Sequence, residues 1–286
     1  MLSRRTALAI FAVPALRGQQ KAPAMFADAE AYERFMGRWS RLLAPQLVDF
    51  AGAPDSGQYL DIGSGTGALA FAIAQRKTGA HIVGIDPSQE YVEYANSKNS
   101  FRDRVKFEPG DAQQMRFPDS TFHAALSLLV FNFIPDSAKA LREARRVTRP
   151  GGAVSAAVWE YGAGMRMLRI FWDAAVSQDS AADKLDEKHM PLCRAGELAN
   201  LWRQGGLESV SEQPLEIAMH FASFADYWDP FLLGQGPAGS YVRGLDNARR
   251  QAVRAGLMQR LSITREDTPF TLTARALAVR GTVPAR

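Results

Sequence analysis

The sequence predicts an α/β fold in which a parallel sheet carries helices on both faces. The first observation is an apolar run, residues 59–62, that ends in a loop with three glycines and passes directly into a helical pattern. The second is that further apolar runs alternate with helical patterns along the next hundred residues. The crossovers between parallel strands of such a sheet are expected to be right-handed.

The stretch before the first strand, residues 28–51, is predicted to be helical. Large apolar side chains recur in it at helical spacing, from Tyr32 to Phe50. Pro45 lies inside this pattern and is expected to divide the helix into two pieces. The aromatic residues are typical of core packing, although a segment just before the first strand is also well placed to fold over the glycine loop.

Four apolar runs that follow the glycine loop are predicted to be strands, namely residues 81–86, 105–108, 122–129 and 153–159. The helix predicted over residues 137–147 ends at Arg149-Pro150-Gly151-Gly152, which is a strong stop signal. Beyond Trp159 we predict helices over residues 164–175 and 196–203, strands over 207–217 and 270–280, and an arginine-rich helix over 241–261. Residues 177–194 are polar and irregular.

Composition and charge narrow the function classes. The 286 residues are 47% hydrophobic and 22% charged, as in ordinary globular proteins. The first 24 residues carry the whole net charge of +4, so the body from Met25 onward is neutral and nucleic acid is not an expected partner. The single cysteine and the four separated histidines predict no metal site.

The first 24 residues resemble an export signal. A basic start, Ser3-Arg4-Arg5, precedes an apolar stretch of eleven residues, 6–16, which is too short to span a bilayer. The start partly matches a twin-arginine signal, although Ala7 stands where a bulky residue is usual. Either the protein is exported, or Met25 is the working start; in both cases residues 1–24 are excluded from the predicted fold.

The glycine loop leaves two classes of ligand open. Gly63, Gly65 and Ala68 satisfy the G-x-G-x-x-[GA] fingerprint of dinucleotide sites, and Asp86 follows about twenty residues later, where a ribose-binding acid is expected. A nicotinamide oxidoreductase is therefore one hypothesis. Tyr94 and Lys98 have the spacing of a reductase's catalytic pair, but they lie on the helix after the second strand, which is too early in the chain for that role.

Two further acids favour a ligand with a cationic amine. Asp61 stands two residues before the first glycine, where its carboxylate would repel a pyrophosphate. Asp111 and Ala112 follow the third strand, where an acid can accept a hydrogen bond from a purine's exocyclic amine. Asp61, Asp86 and Asp111 thus end three neighbouring strands at the edge where such sheets bind ligands.

These residues carry a specific resemblance. The chain resembles the class I S-adenosylmethionine-dependent methyltransferases of the type 11 group, which is similar to the ubiquinone and menaquinone methylases. The matching pieces are Leu60-Asp61-Ile62-Gly63-Ser64-Gly65-Thr66-Gly67, Gly84-Ile85-Asp86-Pro87-Ser88, Gly110-Asp111-Ala112, Phe117-Pro118-Asp119-Ser120-Thr121-Phe122, Glu143-Ala144-Arg145-Arg146-Val147 and Arg149-Pro150-Gly151-Gly152. The match is specific over residues 58–160 and looser from Tyr32 to the last strand.

The resemblance implies a Rossmann-like three-layer α/β/α sandwich, whose seven-stranded, mostly parallel sheet has an antiparallel last strand. It implies one methyltransferase domain over residues 25–286, with a core over 55–160 and a helical, aromatic insertion over about 219–262. It also implies S-adenosylmethionine as the cofactor. A cytoplasmic location follows as the expectation, because the cofactor is cytoplasmic, with export through residues 1–24 as the alternative.

The resemblance further implies the residues of the cofactor site. Asp61 and the glycines Gly63, Gly65 and Gly67, with Ser64, would hold the methionine part. Asp86, beside Pro87, would take the ribose hydroxyls; Asp111 and Ala112 would flank the adenine, and Leu128 would lie beneath the sulfonium. Many relatives have a histidine pair after the fourth strand where this chain has Asn132-Phe133, so no histidine mechanism is assigned there.

The expected function is methyl transfer to a small, partly apolar acceptor, with no membrane span. Positioning and a dry, apolar site can supply most of the acceleration of such an in-line displacement. No general base is identified, although Glu160 is the best-placed acid, and His189 and His220 are candidates by residue type alone. Aromatic residues 221–231, with Trp159, Tyr161 and Trp172, either line the acceptor pocket or pack the later helices. A non-catalytic nucleoside-binding relative is the third hypothesis.

Overall fold

The computed structural model describes residues 28–285, so the signal-like segment, residues 1–24, lies outside the described residues. Seven strands form one sheet in the order β3-β2-β1-β4-β5-β7-β6. Their bounds are β1 (Ser56–Ile62), β2 (Gly79–Asp86), β3 (Val105–Pro109), β4 (Phe122–Leu128), β5 (Thr148–Trp159), β6 (Glu208–Phe221) and β7 (Phe270–Thr282).

The direction of the strands confirms the predicted fold class. Strands β1 to β5 pair in parallel, and β7 is antiparallel to both of its neighbours, β5 and β6. The chain passes from β1 to β2 and β3 on one side of the sheet and then returns to β4 on the other side. The carboxyl ends of β1 and β4 therefore flank a topological switch point, where open α/β sheets bind ligands.

Helices cover the sheet, some in direct contact with its apolar side chains and others packed on those helices. They are α1 (Ala29–Tyr32), α2 (Arg38–Ala51), α3 (Ala68–Arg76), α4 (Gln89–Lys98), α5 (Ser137–Val147), α6 (Arg166–Gln178), α7 (Glu197–Gln204), α8 (Phe224–Leu232), α9 (Gly236–Gly244) and α10 (Asn247–Arg260). One continuous core joins sheet and helices, and Leu43, Leu60, Leu126 and Ala156 are fully buried in it. No helix among the described residues has both the length and the apolar character needed to cross a membrane.

Two sequence predictions about helices are wrong. Pro45 does not divide the predicted helix. Helix α2 continues through Pro45, and Leu43 and Leu47 on either side of the proline remain buried in the core. A turn of π-helix, Glu33–Gly37, separates α1 from α2 instead. The predicted arginine-rich helix is two helices, because Asp246 accepts a hydrogen bond from the Arg249 backbone N–H and so starts α10 as a new helix.

Candidate functional site

A cavity of about 640 Å³ lies at the carboxyl ends of β1, β2, β3 and β4. Nine of the ten residues that the sequence assigns to the cofactor line it: Asp61, Gly63, Ser64, Gly65, Asp86, Pro87, Asp111, Ala112 and Leu128. The tenth, Gly67, is the residue that immediately precedes α3, and it does not line the cavity. The topology thus brings together acids and glycines that the sequence separates by up to 67 residues.

Asp61 is a buried carboxyl with one unused oxygen. Its side chain is 1% exposed, and its Oδ2 accepts a hydrogen bond from the Ala70 N–H in the first turn of α3, at 3.0 Å. Its Oδ1 has no hydrogen-bond partner among the described residues. Burial raises the pKa of Asp61 to about 8, and the nearby Asp86 adds to this rise. A cationic donor in the cavity would satisfy the free oxygen and restore the charged form.

The glycine loop brings bare backbone to the cavity. The N–H groups of Gly63 and Ser64 both donate to the Ile85 carbonyl, at 2.8 and 2.9 Å, which ties the loop to the end of β2. Gly63 has φ 72° and faces Val130 so closely that a Cβ would lie 2.5 Å from it. Gly65 has φ 51°, and the nearest atom to an added Cβ would be a Tyr91 carbon at 3.9 Å. A side chain at Gly65 would therefore occupy open space beside the loop.

Asp86 organises the loop from the end of the next strand. One of its carboxyl oxygens accepts from the Gly65 N–H and the other from the Ser88 N–H, both at 2.9 Å. Burial raises the pKa of Asp86, and these two hydrogen bonds oppose the rise. Each oxygen keeps a further lone pair, so the carboxyl can still accept from hydroxyl groups of a ligand.

Asp111 and Leu128 complete this part of the cavity wall. Asp111 is exposed, and its Oδ1 accepts from the Gln113 backbone N–H at 2.8 Å. Leu128 ends β4, and the next residue, Leu129, has φ 64°, a left-handed conformation that is strained for a leucine. Such strain is concentrated at binding and catalytic sites.

The N-terminal segment covers the glycine loop. Tyr32, Phe35 and Met36 line the cavity, so the aromatic residues of this segment form part of the site as well as of the core. Glu33 accepts a hydrogen bond from the Thr66 hydroxyl of the loop at 2.5 Å, and a carboxyl oxygen of Glu90 accepts from the Ala29 N–H at 3.0 Å. We call residues 28–37 the cover segment.

Comparison with known proteins identifies the part of the chain that builds this site. Residues 60–156 match the family described as "Methyltransferase domain", type 11. This stretch of the chain is therefore similar to that family. The match contains the end of β1, all of β2 to β4 and most of β5, and with them all ten assigned cofactor residues.

Individual relatives resemble the chain over only part of their length. A sterol 24-C-methyltransferase of Gibberella zeae is 31% identical over 137 residues, 47% of this chain and 35% of that protein. A demethylmenaquinone methyltransferase of Thermus thermophilus is 36% identical over 116 residues, 40% of this chain and 51% of that protein. The chain thus spans about half of the length of these curated relatives, or less.

A solved structure shares the fold of this chain beyond the matched residues. The phosphoethanolamine N-methyltransferase 2 of Haemonchus contortus, in complex with S-adenosyl-L-methionine, superimposes with a TM-score of 0.56 at 17% identity. The likeness covers 90% of this chain and 57% of that one. It shows a shared fold.

Residues outside the family match complete the cavity. Six of them, which we call the C-terminal wall, are Trp159, Tyr161, Leu168, Glu187, Gly236 and Pro237. Trp159 and Tyr161 were candidate pocket aromatics in the sequence. Glu187 was not, because it lies in the polar, irregular stretch over residues 177–194 and no periodicity or motif marks it.

The acid and histidine candidates for a general base lie away from the cavity. Glu160 is outside the cavity wall and forms an ion pair with Arg275. His189 is exposed beside Asp183, at 3.2 Å, and His220 is exposed on β6, where it is hydrogen bonded to the Thr271 hydroxyl at 2.8 Å. The structure therefore places none of these three side chains at the cavity.

The aromatic stretch over residues 221–231 packs the later helices and does not line the cavity. Phe221 stacks on Phe270 of β7, at 5.1 Å between ring centroids, and Phe231 contacts Phe35 of the cover segment edge-on at 5.2 Å. Trp172 is likewise outside the wall. These rings support the cover segment from behind.

Proposed function

We propose that this protein is an S-adenosylmethionine-dependent methyltransferase that acts on a small, partly apolar acceptor. The observation that carries the proposal is the buried carboxyl of Asp61, which lines the cavity with one oxygen free of partners among the described residues. An α-ammonium group satisfies such an oxygen, whereas the pyrophosphate of a dinucleotide would be repelled by it. This favours the sulfonium nucleoside over the nicotinamide alternative.

The residues of the wall fit this cofactor part by part. Asp61 and the bare backbone at Gly65 would hold the methionine end, the free lone pairs of Asp86 would take ribose hydroxyls, and Asp111 with Ala112 would flank the adenine. Leu128 would lie beneath the sulfur. The bound cofactor supplies an electrophilic methyl group on a positively charged sulfur.

The protein's own contribution is to bind, orient and exclude water. The cover segment and the C-terminal wall enclose the cavity with Phe35, Met36, Trp159 and Leu168, so that an acceptor meets the cofactor in an apolar space. Exclusion of water strengthens electrostatic interactions inside a site. Enclosure by the surrounding side chains also holds the reacting atoms in position. The acceptor is proposed to be a small molecule because the neutral body of the chain offers no excess of basic charge for a nucleic acid. We place the protein in the cytoplasm, where this cofactor is made.

Calorimetric titration of the full-length protein with S-adenosylhomocysteine tests the proposal. We expect binding of S-adenosylhomocysteine and no binding of NADH. Asp86→Ala should weaken the affinity by about 10-fold to 100-fold, because it removes a carboxylate that accepts ligand hydrogen bonds. Asp103→Ala, which alters an exposed acid that pairs with Arg104 at 3.8 Å, should leave the affinity unchanged.

Binding of NADH in place of S-adenosylhomocysteine would refute the proposal and favour the oxidoreductase. Binding of S-adenosylhomocysteine without methyl transfer to any compound of a broad acceptor panel would favour the non-catalytic relative.

A further inference from the structure

The C-terminal wall places one carboxyl group in the part of the cavity that the family match does not build. Glu187 is 3% exposed, and its Oε2 accepts a hydrogen bond from the Trp172 indole N–H. The Ala238 backbone N–H also faces the carboxyl. The rest of the C-terminal wall is apolar or aromatic, so Glu187 is its only acid.

No cation neutralises Glu187 within the part of the chain that the structure describes. The adjacent Asp186 takes the nearest guanidinium, that of Arg169, through two hydrogen bonds of 2.6 and 3.1 Å. A buried carboxyl next to neutral donors and without an ion-pair partner is costly to maintain. Buried carboxyl groups of this kind are concentrated at binding and catalytic sites.

The surroundings of Glu187 adjust its proton affinity to the neutral range. Burial raises the pKa of Glu187 to about 8, Asp186 adds to the rise, and Arg169 opposes it. Tyr161 and Cys193 also face Glu187, and burial raises the pKa of both, so they remain neutral at physiological pH. A carboxyl with this pKa can both take up and release a proton near pH 7, as a general base must.

We propose that Glu187 is the general base of this site and that the methylated atom of the acceptor is a hydroxyl oxygen, as in a phenol or an enol. The inference rests on the proposed methyltransferase function. In the step, the O–H bond breaks and its proton passes to the Glu187 carboxylate. The oxygen's electron pair forms the new bond to the methyl carbon, and the electron pair of the broken S–C bond stays on sulfur, which leaves a neutral thioether.

The chemistry of the wall favours a hydroxyl over an amine. A carboxylate beside an amine stabilises the ammonium form, and its proton blocks the nitrogen lone pair that must attack. The wall also contains a donor: the indole N–H of Trp159 is buried and has no hydrogen-bond partner in the described residues. A hydroxyl group can accept a hydrogen bond from such a donor while its own O–H donates to Glu187. An ammonium group has no lone pair and cannot accept a hydrogen bond. A carboxylate acceptor would need no base, and the charged form of Glu187, which the step requires, would repel it.

The test compares wild type with Glu187→Gln, using S-adenosylmethionine and matched acceptors: catechol, 2-naphthol, 2-naphthylmethylamine and 2-naphthoate. We expect turnover of the phenols only, with a kcat/KM that rises with pH through about 8 in wild type. Glu187→Gln should lower kcat about 100-fold or more with little change in KM, and the rise with pH should disappear. Glu187→Asp should recover part of the activity.

Two controls separate the outcomes. Glutamine can still accept from Trp172, so Glu187→Gln should bind S-adenosylhomocysteine with wild-type affinity, which also shows that it is folded. Glu160→Gln, which alters an acid outside the cavity, should keep wild-type kcat. An unchanged kcat and pH profile in Glu187→Gln, turnover of the amine or the carboxylate instead of a phenol, or no turnover of any phenol would overturn the inference. Failure of wild type to bind S-adenosylhomocysteine would instead overturn the proposed function.

Discussion

Asp61 is a buried side chain whose proposed role in ligand binding comes at a cost to the stability of the fold. Its carboxyl satisfies one N–H of α3 and leaves its other oxygen without a partner among the described residues. Burial and the neighbouring Asp86 both disfavour its charged form. A substitution that abolishes the charge should therefore harm binding and help stability, which is a combination expected of a functional residue and not of a packing residue.

The pH dependence of stability tests this view of Asp61. Its folded pKa of about 8 lies above the unfolded value of 3.8, so the stability that its protonated form contributes is lost as the pH rises through about 8. Asp61→Asn should therefore lose less Tm than wild type between about pH 6 and about pH 9. Thermal unfolding of both proteins across this range is the measurement.

The same variant should bind S-adenosylhomocysteine at least about 10-fold more weakly than wild type, because asparagine cannot pair with an ammonium group. Equal pH slopes in the two proteins would show that Asp61 is not the group responsible. Unchanged affinity would show that it does not face the ligand.

At the scale of elements, the cover segment joins the glycine loop to the helices that follow the sheet. It reaches the loop through Glu33 and Thr66, and it reaches α8 through an ion pair of 2.7 Å between Arg38, the residue that follows it, and Asp226. The cover segment is short and is held in place by these links. We therefore expect it to unfold locally, away from the glycine loop, more readily than the strands beneath it.

Thr66→Val tests the link between the cover segment and the loop. Valine keeps the shape of threonine but cannot donate to Glu33, so the segment should open about 10-fold more often, given the strength of a hydrogen bond to a charged group. Hydrogen–deuterium exchange of residues 28–37 should be faster, and S-adenosylhomocysteine should dissociate faster. The matched control is Thr121→Val, which removes a hydroxyl that donates to the Pro118 carbonyl away from the cavity. Equal exchange in both variants would mean that this bond does not hold the segment.

The elements also show where prediction from sequence fails. The strands and the helix over residues 137–147 were predicted closely because their periodicity is local. Pro45 and the arginine-rich stretch were predicted wrongly, since the burial of α2 outweighs one lost hydrogen bond and the Asp246 cap outweighs the helical pattern around it. The start of β5 at Thr148, ahead of the predicted residue 153, follows from pairing with Phe122 of β4.

For the whole molecule, the single core means that ligand binding should stabilise the fold as one unit. S-Adenosylhomocysteine at about 100 times its Kd should add about 2.7 kcal/mol to the free energy of unfolding. For a chain of this size that raises Tm by roughly 5 °C or more. Differential scanning calorimetry measures the shift, and NADH at the same concentration should produce none.

The variants give this thermal shift its diagnostic value. Glu187→Gln should keep it, because we assign Glu187 to the acceptor side, and Asp61→Asn should lose about half of it or more, as follows from the weaker binding expected above. A shift that is absent from wild type, or present in Asp61→Asn at full size, would contradict the division of the cavity into a cofactor side and an acceptor side.

The sequence by itself determined the fold class, and it predicted ten residues for the cofactor, nine of which line one cavity. These residues stand at the ends of consecutive strands, and the spacing of glycines and acids within each strand–loop–helix unit is a local property of the chain. Only the tertiary structure decided which residues close the other side. Glu187, Trp159 and Pro237 meet at the cavity because the sheet order and helix packing bring separate segments together, and the polar stretch that holds Glu187 has no periodicity from which a burial of 97% could be predicted.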